Sequence, residues 1–264
     1  MALNKNRNNE VPKSHPRYQS LKYRHKIIEG MKSLVVAEAG LIAHGRGECF
    51  DYILGEKTTQ TAKNAIKAAV AVLLIAEKPV ISVNGNVAAL VPEELVSLSK
   101  LLNIPLEINL FYHKEGRIKA IKDVLENAGG TNIKGLSEKE MVELEGLESN
   151  RRKVDFIAKA DVVMVPLEDG DRTEALKKLN KKVIAVDLNP LSRTALWADI
   201  TIVDNIIRVI PEMIKIAKKL MKLKTSELQK IINNFENRQN IQNTLDLIID
   251  YIESQKEEAF KILK

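Results

Sequence analysis

The chain contains a single cysteine, Cys49, among its 264 residues. One thiol cannot form an intrachain disulfide or supply the several thiolates of a structural zinc site. Five Phe, five Tyr and one Trp are too few for a base-stacking surface. No apolar run is long enough to cross a membrane, and the N-terminus lacks the apolar core of a signal peptide. We therefore expect a soluble, cytoplasmic protein that binds neither nucleic acid nor membrane.

Charges of both signs are abundant and mixed along the chain. The sequence has 41 basic and 35 acidic residues, which gives a formal net charge of +6. Many of the lysines recur at the spacing of an exposed helix face, as Lys215, Lys218, Lys219 and Lys222 do. This pattern indicates a solvated surface more than a nucleic-acid patch, and the small basic excess also suits anionic small-molecule substrates.

Short apolar runs alternate with helical segments through most of the chain. Five runs are read as strands: 79–83, 105–110, 162–166, 183–186 and 200–203. They are continuously apolar, as expected for strands with both faces covered. The pattern predicts an α/β fold, a Rossmann-like mostly parallel sheet with helices on both faces and a C-terminal helical extension. No GxGxxG follows a strand, so the usual dinucleotide fingerprint is missing.

The composition divides the chain into three predicted parts. Residues 1–12 form a polar tail that we expect to be disordered. Residues 13–224 form the Rossmann-like catalytic domain, and residues 225–264 form the helical extension. Apolar stripes in this extension predict that it packs on the domain or at a subunit interface, which makes a homodimer the expected assembly.

Polar residues follow the predicted strand 183–186 where a ligand would sit in an α/β protein. Asp187, Leu188 and Asn189 can hold adenosine, because a carboxylate suits ribose hydroxyls and backbone groups can bind the adenine edge. Arg193 and Thr194 can hold phosphate. The alternative is an Asx-type turn at Asp187 followed by a helix N-cap.

The next predicted strand is also followed by candidate ligands. Asn205 and Ile206 can complete a nucleotide pocket, although, taken alone, they are better explained by a simple cap on the following helix.

The segment His44-Gly-Arg-Gly-Glu48 is predicted to be a loop whose glycines let the backbone approach a ligand. Arg46 is a candidate for neutralising triphosphate charge, and His44 for binding an anion or moving a proton. A surface arginine in a turn and a structural histidine are the alternatives. We take Arg46 and His44 as the candidate catalytic residues.

Several longer motifs carry a family resemblance. SHPRY, GLIAHGRGE, VPLEDGDRTEAL, AVDLNPLSRTA, ADITIVDN and FENRQN, spread over about residues 14–249, closely resemble the archaeal 4-phosphopantoate–β-alanine ligases, also called phosphopantothenate synthetases. The resemblance implies an ATP-dependent ligase of coenzyme A biosynthesis. It would condense (R)-4-phosphopantoate with β-alanine through an acyl-adenylate and release 4′-phosphopantothenate, AMP and pyrophosphate.

The same resemblance implies a Rossmann-like homodimer that uses Mg²⁺, and it does not indicate which residues bind the metal. The ATP contacts that it implies are Arg24, Arg46, Asp187, Leu188, Asn189, Arg193, Thr194, Asn205 and Ile206. Two other functions remain open from the residues alone. One is a different nucleotide-dependent transferase on the same sheet, and the other is a non-catalytic nucleotide-binding sensor.

Overall fold

The computed structural model describes residues 12–15, 17–110, 115–136, 142–143 and 153–262. Its eight strands are β1 (Pro79–Val83), β2 (Leu106–Ile108), β3 (Ile133–Lys134), β4 (Val142–Glu143), β5 (Lys153–Val154), β6 (Val162–Pro166), β7 (Lys182–Val186) and β8 (Ile200–Ile202). Six of them form one sheet in the order β3-β2-β1-β6-β7-β8, and β4 pairs with β5 as a small antiparallel hairpin. Every pair in the large sheet is parallel, which confirms the predicted α/β class.

Helices surround this sheet. They are α1 (Tyr18–Lys32), α2 (Glu38–Ile53), α3 (Gln60–Ile75), α4 (Gly85–Leu90), α5 (Pro92–Leu102), α6 (Arg117–Asn127), α7 (Gly170–Lys178), α8 (Arg193–Trp197), α9 (Ile206–Leu220), α10 (Thr225–Asn233) and α11 (Asn237–Ile262), with a 3₁₀ turn at Phe156–Lys159. No helix among the described residues is long and apolar enough to cross a membrane.

Both faces of the sheet are buried, which explains the continuous apolar runs. Ile81, Met164 and Ile184 belong to the larger core, which also contains residues of α3, α5 and α9. Their neighbours Val80 and Val163 belong to a second core on the other face, together with residues of α7. Because successive side chains of a strand point to opposite faces, covering both faces favours apolar residues at most positions. Ser82, Glu107 and Thr201 are buried polar exceptions.

The strand order places a topological switch point between β1 and β6. From β1 the chain builds outward through β2 and β3, and it then returns to the other side of β1 to add β6, β7 and β8. The connections that follow β1 and β6 therefore leave in opposite directions. In open parallel sheets this divergence opens a crevice at the carboxyl ends of the strands, where ligands bind.

The C-terminal helices α10 and α11 contact α3, and α11 also contacts the edge strand β8. There the Thr201 N–H donates to Asn237 Oδ1 at 2.8 Å, and Asn240 Nδ2 donates to the Thr201 carbonyl at 2.9 Å. The side-chain amides of Asn237 and Asn240 therefore form hydrogen bonds with backbone groups of the edge strand that would otherwise be open to pairing with a further strand. The boundaries drawn at residues 12 and 224 stay predictions, and residues 1–11 lie outside the described part of the chain.

The predicted loop at residues 44–48 is wrong, because these residues lie inside α2. Glycine in a helix interior costs about 1 kcal/mol relative to alanine, which favoured the loop interpretation. The helix forms because other parts of the fold hold it. Near its beginning, Asn86 Nδ2 donates to the Gly40 carbonyl at 2.9 Å. A Cβ on Gly40 would lie 2.4 Å from Asn86 Oδ1, so this close approach needs glycine.

Candidate active site

A cleft of about 440 Å³ lies between α2 and the carboxyl ends of β6, β7 and β8. Its size falls in the usual range for small-molecule sites. The sequence-predicted site residues that line it are His44, Arg46, Asp187, Leu188, Asn189, Arg193, Thr194, Asn205 and Ile206. Residues 160 positions apart in sequence thus meet because α2 lies across the strand ends.

Arg24 is the one predicted site residue that does not line this cleft. It is exposed on α1, which contacts α2. Its positive charge still reaches the site, because it adds to burial in lowering the pKa of His44.

A buried charge cluster fixes the far end of α2. Asp51 is the one buried residue of that helix, and its carboxylate accepts hydrogen bonds from Asn205 Nδ2 at 2.8 Å and from Arg208 Nη2 at 2.5 Å. Arg208 also donates through Nε to Asp204 Oδ1 at 2.8 Å. Asp51 and Arg208 are 157 positions apart in sequence, so local patterns could not reveal their pairing.

Asp187 forms the Asx-type turn that was the alternative to a ligand role. Its Oδ1 accepts from the Asn189 N–H at 2.9 Å, and its Oδ2 accepts from Ser192 Oγ at 2.5 Å. Burial raises the pKa of this carboxyl, whereas the two hydrogen bonds and the charge of Arg46 oppose that shift. Each carboxylate oxygen has a second acceptor position, so the turn leaves Asp187 able to accept from a ligand hydroxyl.

Arg193 lines the cleft, but its guanidinium is already paired. It donates through Nη1 to Asp171 at 2.6 Å and through Nη2 to Glu174 at 2.5 Å, on the outer side of α7. A phosphate held by Arg193 must therefore compete with two carboxylates. The neighbouring Thr194 is buried, and its Oγ1 donates to the Glu168 carbonyl at 2.9 Å.

His44 and Glu48 lie one turn apart on α2 and face the cleft together. His44 Nε2 is buried, lies 3.8 Å from Glu48 Oε1 and makes no hydrogen bond to the described residues. Burial, followed by the charge of Arg24, lowers the pKa of His44, so its imidazole is neutral at physiological pH. Burial and then Asp51 raise the pKa of Glu48. Both pKa shifts thus favour the neutral forms of these side chains.

A second cleft of about 360 Å³ adjoins the first, on the side of β1 and α6. It lies at the switch point, where Asn84 caps α4 through Oδ1 and donates Nδ2 to the carbonyls of Pro166 and Leu167 at 3.1 and 3.0 Å. Arg117 contributes a buried cation to its wall. The residues common to both clefts are Ala43, Arg46, Asn86, Leu167, Glu168 and Asp169. The sequence analysis identified Arg46 as a candidate site residue, but it did not predict that a second cleft adjoins the first.

Comparisons with known proteins identify the relatives of this chain. A family model described as phosphopantothenate/pantothenate synthetase matches residues 61–251. The chain belongs to this family. A protein of Thermococcus kodakarensis named 4-phosphopantoate–β-alanine ligase is 54% identical over 251 residues, which cover 94% of this chain and 96% of that protein.

Two further relatives carry the same name. The protein of Thermococcus onnurineus is 55% identical over 89% of this chain and 91% of its own length. The protein of Methanosarcina mazei is 43% identical over 95% of this chain and 98% of its own length. As a member of the phosphopantothenate/pantothenate synthetase family, this chain is an enzyme of the ligase class. The family predicted from the sequence motifs is confirmed.

Proposed function

We propose that this enzyme condenses (R)-4-phosphopantoate with β-alanine, using ATP, to give 4′-phosphopantothenate, AMP and pyrophosphate. The observation that carries this proposal is the single cleft that collects nine predicted site residues from α2 and from three strand ends. The close relatives named as ligases for these two substrates support the choice of reaction.

In this proposal ATP occupies the first cleft. Asp187 accepts hydrogen bonds from the ribose, while the backbone of Leu188 and Asn189 borders the adenine. Arg46 faces the phosphates, because it lies close enough to Asp187 to lower the pKa of that carboxyl and also lines the second cleft. Arg24 would approach the phosphates from α1 when ATP is bound.

The phosphopantoate carboxylate would attack the α-phosphorus of ATP, which expels pyrophosphate and leaves an acyl-adenylate. A carboxylate is a poor acyl donor to an amine, whereas AMP departs readily from such a mixed anhydride. Arg46 would stabilise negative charge on the phosphorus and the leaving pyrophosphate. The amine of β-alanine would then attack the acyl carbon and release AMP. Holding the two reactants in adjoining clefts supplies much of the rate.

Mg²⁺ would accompany ATP in this reaction and neutralise its phosphates. Among the described residues, no group of three or more His, Cys, Asp or Glu side chains could hold a metal ion. Mg²⁺ in nucleotide sites typically keeps several waters and binds through substrate phosphates with few protein ligands, so this arrangement is compatible with a metal that arrives on the nucleotide. We assign no side chain to it and derive no step through it.

Isotope transfer tests the proposed path. Phosphopantoate labelled with ¹⁸O in its carboxylate should transfer one label to AMP, which is detected by phosphorus NMR. An acyl-phosphate path would instead place the label in inorganic phosphate and release ADP. Products of the second kind would contradict attack at the α-phosphorus.

Turnover also separates the ligase from the two alternative functions. AMP formation that requires both phosphopantoate and β-alanine supports the ligase. ATP binding with no turnover would favour the sensor, and nucleotide turnover with other acceptors only would favour another transferase.

A further inference from the structure

The two clefts meet at one shared wall. Arg46, Asn86, Glu168 and Asp169 line both clefts and so mark this junction. If ATP occupies the first cleft, the acid must reach the α-phosphorus at this junction, and the amine must attack the same acyl carbon. The groups at the shared wall are therefore those nearest to the reacting atoms. This placement of the reacting atoms rests on the proposed function.

We propose that the Glu168 carboxylate takes the proton from the ammonium group of β-alanine, so that a neutral amine attacks the activated acid. Glu168 lines both clefts, and its side chain is only 7% exposed. An aliphatic amine has a pKa of about 10, so almost all of this substrate arrives protonated and cannot act as a nucleophile. A proton acceptor at the junction removes this obstacle.

The fold fixes the position of Glu168. Leu167, the preceding residue, has a positive φ of 53°, which turns the chain sharply at the end of β6. The Glu168 carbonyl accepts from Thr194 Oγ1 at 2.9 Å. Its carboxylate accepts from Ser82 Oγ at 3.4 Å and from the Asp169 N–H at 3.1 Å. These contacts reach Glu168 from β1, α7 and α8, so the carboxylate is held against the junction.

Several charged groups share the lining of the two clefts with Glu168. On α7, Arg172 Nε lies 3.8 Å from Glu168 Oε2, and Asp169 is its chain neighbour. The other titratable or charged residues that line the two clefts are His44, Arg46 and Glu48 of α2, Arg117 of α6, and Asp187 and Arg193 near α8. Burial raises the pKa of Glu168 to about 7, Arg172 opposes this shift and Asp169 adds to it. A base with a pKa near the working pH both accepts and releases protons readily.

Asp169 helps to hold the transferred proton. Its Oδ2 is buried and receives no hydrogen bond from another described side chain. A protonated Glu168 can donate to Asp169, and this hydrogen bond is one of the causes that raise the pKa of Glu168. The hydrogen bond to Asp169 thus stabilises Glu168 in its protonated form, whereas Arg172 favours its ionised form.

Proton transfer to Glu168 precedes formation of the new carbon–nitrogen bond. One ammonium N–H bond breaks, its proton joins a Glu168 oxygen, and the electron pair stays on nitrogen. The nitrogen then bonds to the acyl carbon, and the bond between that carbon and the adenylate oxygen breaks with its electrons leaving on AMP. The second proton departs from nitrogen to the AMP phosphate and then to water. Glu168 returns its proton to water before the next turnover.

Two nucleophiles of different basicity test this proposal. β-Alanine needs deprotonation, whereas hydroxylamine is a weak base that is already neutral near neutral pH and traps an activated acid as a hydroxamate. Both rates are measured for the wild type, Glu168→Gln and Glu168→Asp, with ATP, Mg²⁺ and phosphopantoate present. Glu212→Gln on α9 is the matched control, because Glu212 pairs only with Lys215 in the described structure and lies outside both clefts.

We expect Glu168→Gln to react with β-alanine about 10²–10⁴-fold more slowly than the wild type. The rate of hydroxamate formation should fall far less. The residual β-alanine rate should rise about tenfold per pH unit as the neutral amine accumulates. In the wild type, the plot of rate against pH should change slope near the pKa of Glu168 when β-alanine is the nucleophile. It should not do so when hydroxylamine is the nucleophile. Glu168→Asp should recover part of the loss, and Glu212→Gln should match the wild type.

Equal losses with both nucleophiles would overturn the proposal, as would wild-type rates in Glu168→Gln. If Glu168→Gln needs more Mg²⁺ than the wild type and loses the same fraction of its rate with both nucleophiles, Glu168 binds the metal and the proposal is overturned. If Glu168→Gln does not fold, the wild-type pH profiles with the two nucleophiles decide. A wild-type enzyme that forms no AMP with either nucleophile would instead contradict the proposed function itself.

Discussion

Replacing Asp51 with asparagine should loosen α2 while leaving the sheet folded. The change keeps the shape of the side chain and removes the negative charge that binds Arg208 and accepts from Asn205. Asp51 is the one buried residue among the sixteen of α2, so few apolar contacts can replace this attachment. The helix should therefore open locally more often than the strands do.

The structure also sets the size of the effect. Removing one partner of a buried ion pair costs about 3–5 kcal/mol, because the other charge is left uncompensated. Here Arg208 keeps its bonds to Asp204, with Nε 2.8 Å from Oδ1, and asparagine can still accept one hydrogen bond. We therefore expect a loss of about 2–3 kcal/mol in the free energy of unfolding, which corresponds to roughly 4–10 °C in melting temperature.

Hydrogen exchange, thermal unfolding and ATP titration together check this prediction. Amides of α2 should exchange through an easier local opening and the Kd for ATP should rise. Amides of β7 should lose no more protection than the loss of about 2–3 kcal/mol for the whole fold, and they should stay better protected than those of α2. Asp199→Asn is a suitable control, since Asp199 pairs with Lys177 at 2.7 Å and does not line the cleft. Amides of α2 that stay as well protected as those of β7, or unchanged ATP affinity with a loosened helix, would refute the idea that this cluster holds α2 over the site.

Four further outcomes follow from the site and its electrostatics. Arg46→Ala should lower kcat by orders of magnitude at an unchanged melting temperature, because an exposed arginine contributes little to stability; near-normal kcat would remove it from the mechanism. Asp187→Ala should weaken ATP binding by about 1.5–3 kcal/mol with a smaller effect on phosphopantoate, measured by calorimetry, and equal effects would argue against ribose binding. Because the pKa of Glu168 is raised from 4.5 to about 7, the folded state holds a proton between these pH values that the unfolded state has lost. The free energy of unfolding of the wild type should therefore fall by roughly 3 kcal/mol as the pH rises from 4.5 to about 7. Denaturant titrations of Glu168→Gln should lack that slope, and an identical slope would show that another group causes it. Light scattering over a concentration series should give the mass of a homodimer, whereas a monomer at every concentration with full activity would contradict it.

The sheet could be predicted from the sequence because its cause is local. Five of the six strands in the large sheet lie in short, mainly apolar runs, and the polar residues that follow β7 and β8 mark the ligand edge. The two-residue edge strand β3 (Ile133–Lys134) was not predicted, because it has no apolar run of its own. The predicted nucleotide residues at that edge lie together for the same reason, since parallel strands end on one side.

Two features of the site depend on distant contacts and could not be predicted in this way. The helical state of residues 44–48 is imposed by Asn86 and by the Asp51 cluster, against the local preference of the two glycines. The junction of the two clefts arises from the order of the strands, and no stretch of sequence encodes that order by itself. Glu168 stood in a polar segment after β6, but its burial between Arg172 and Asp169 became visible only in three dimensions.

The glycines of α2 also bear on the engineering of this enzyme. A methyl group on Gly45 would meet no atom within 4 Å, whereas one on Gly47 would point toward Leu188 Cδ1 at 3.7 Å, inside the cleft. Alanine at Gly45 should therefore stabilise the helix by about 1 kcal/mol without narrowing the cleft in which we propose that ATP binds. Alanine at Gly47 should give a similar gain in helix stability but narrow that cleft. Heat tolerance and substrate access can thus be adjusted separately, two residues apart on the same helix.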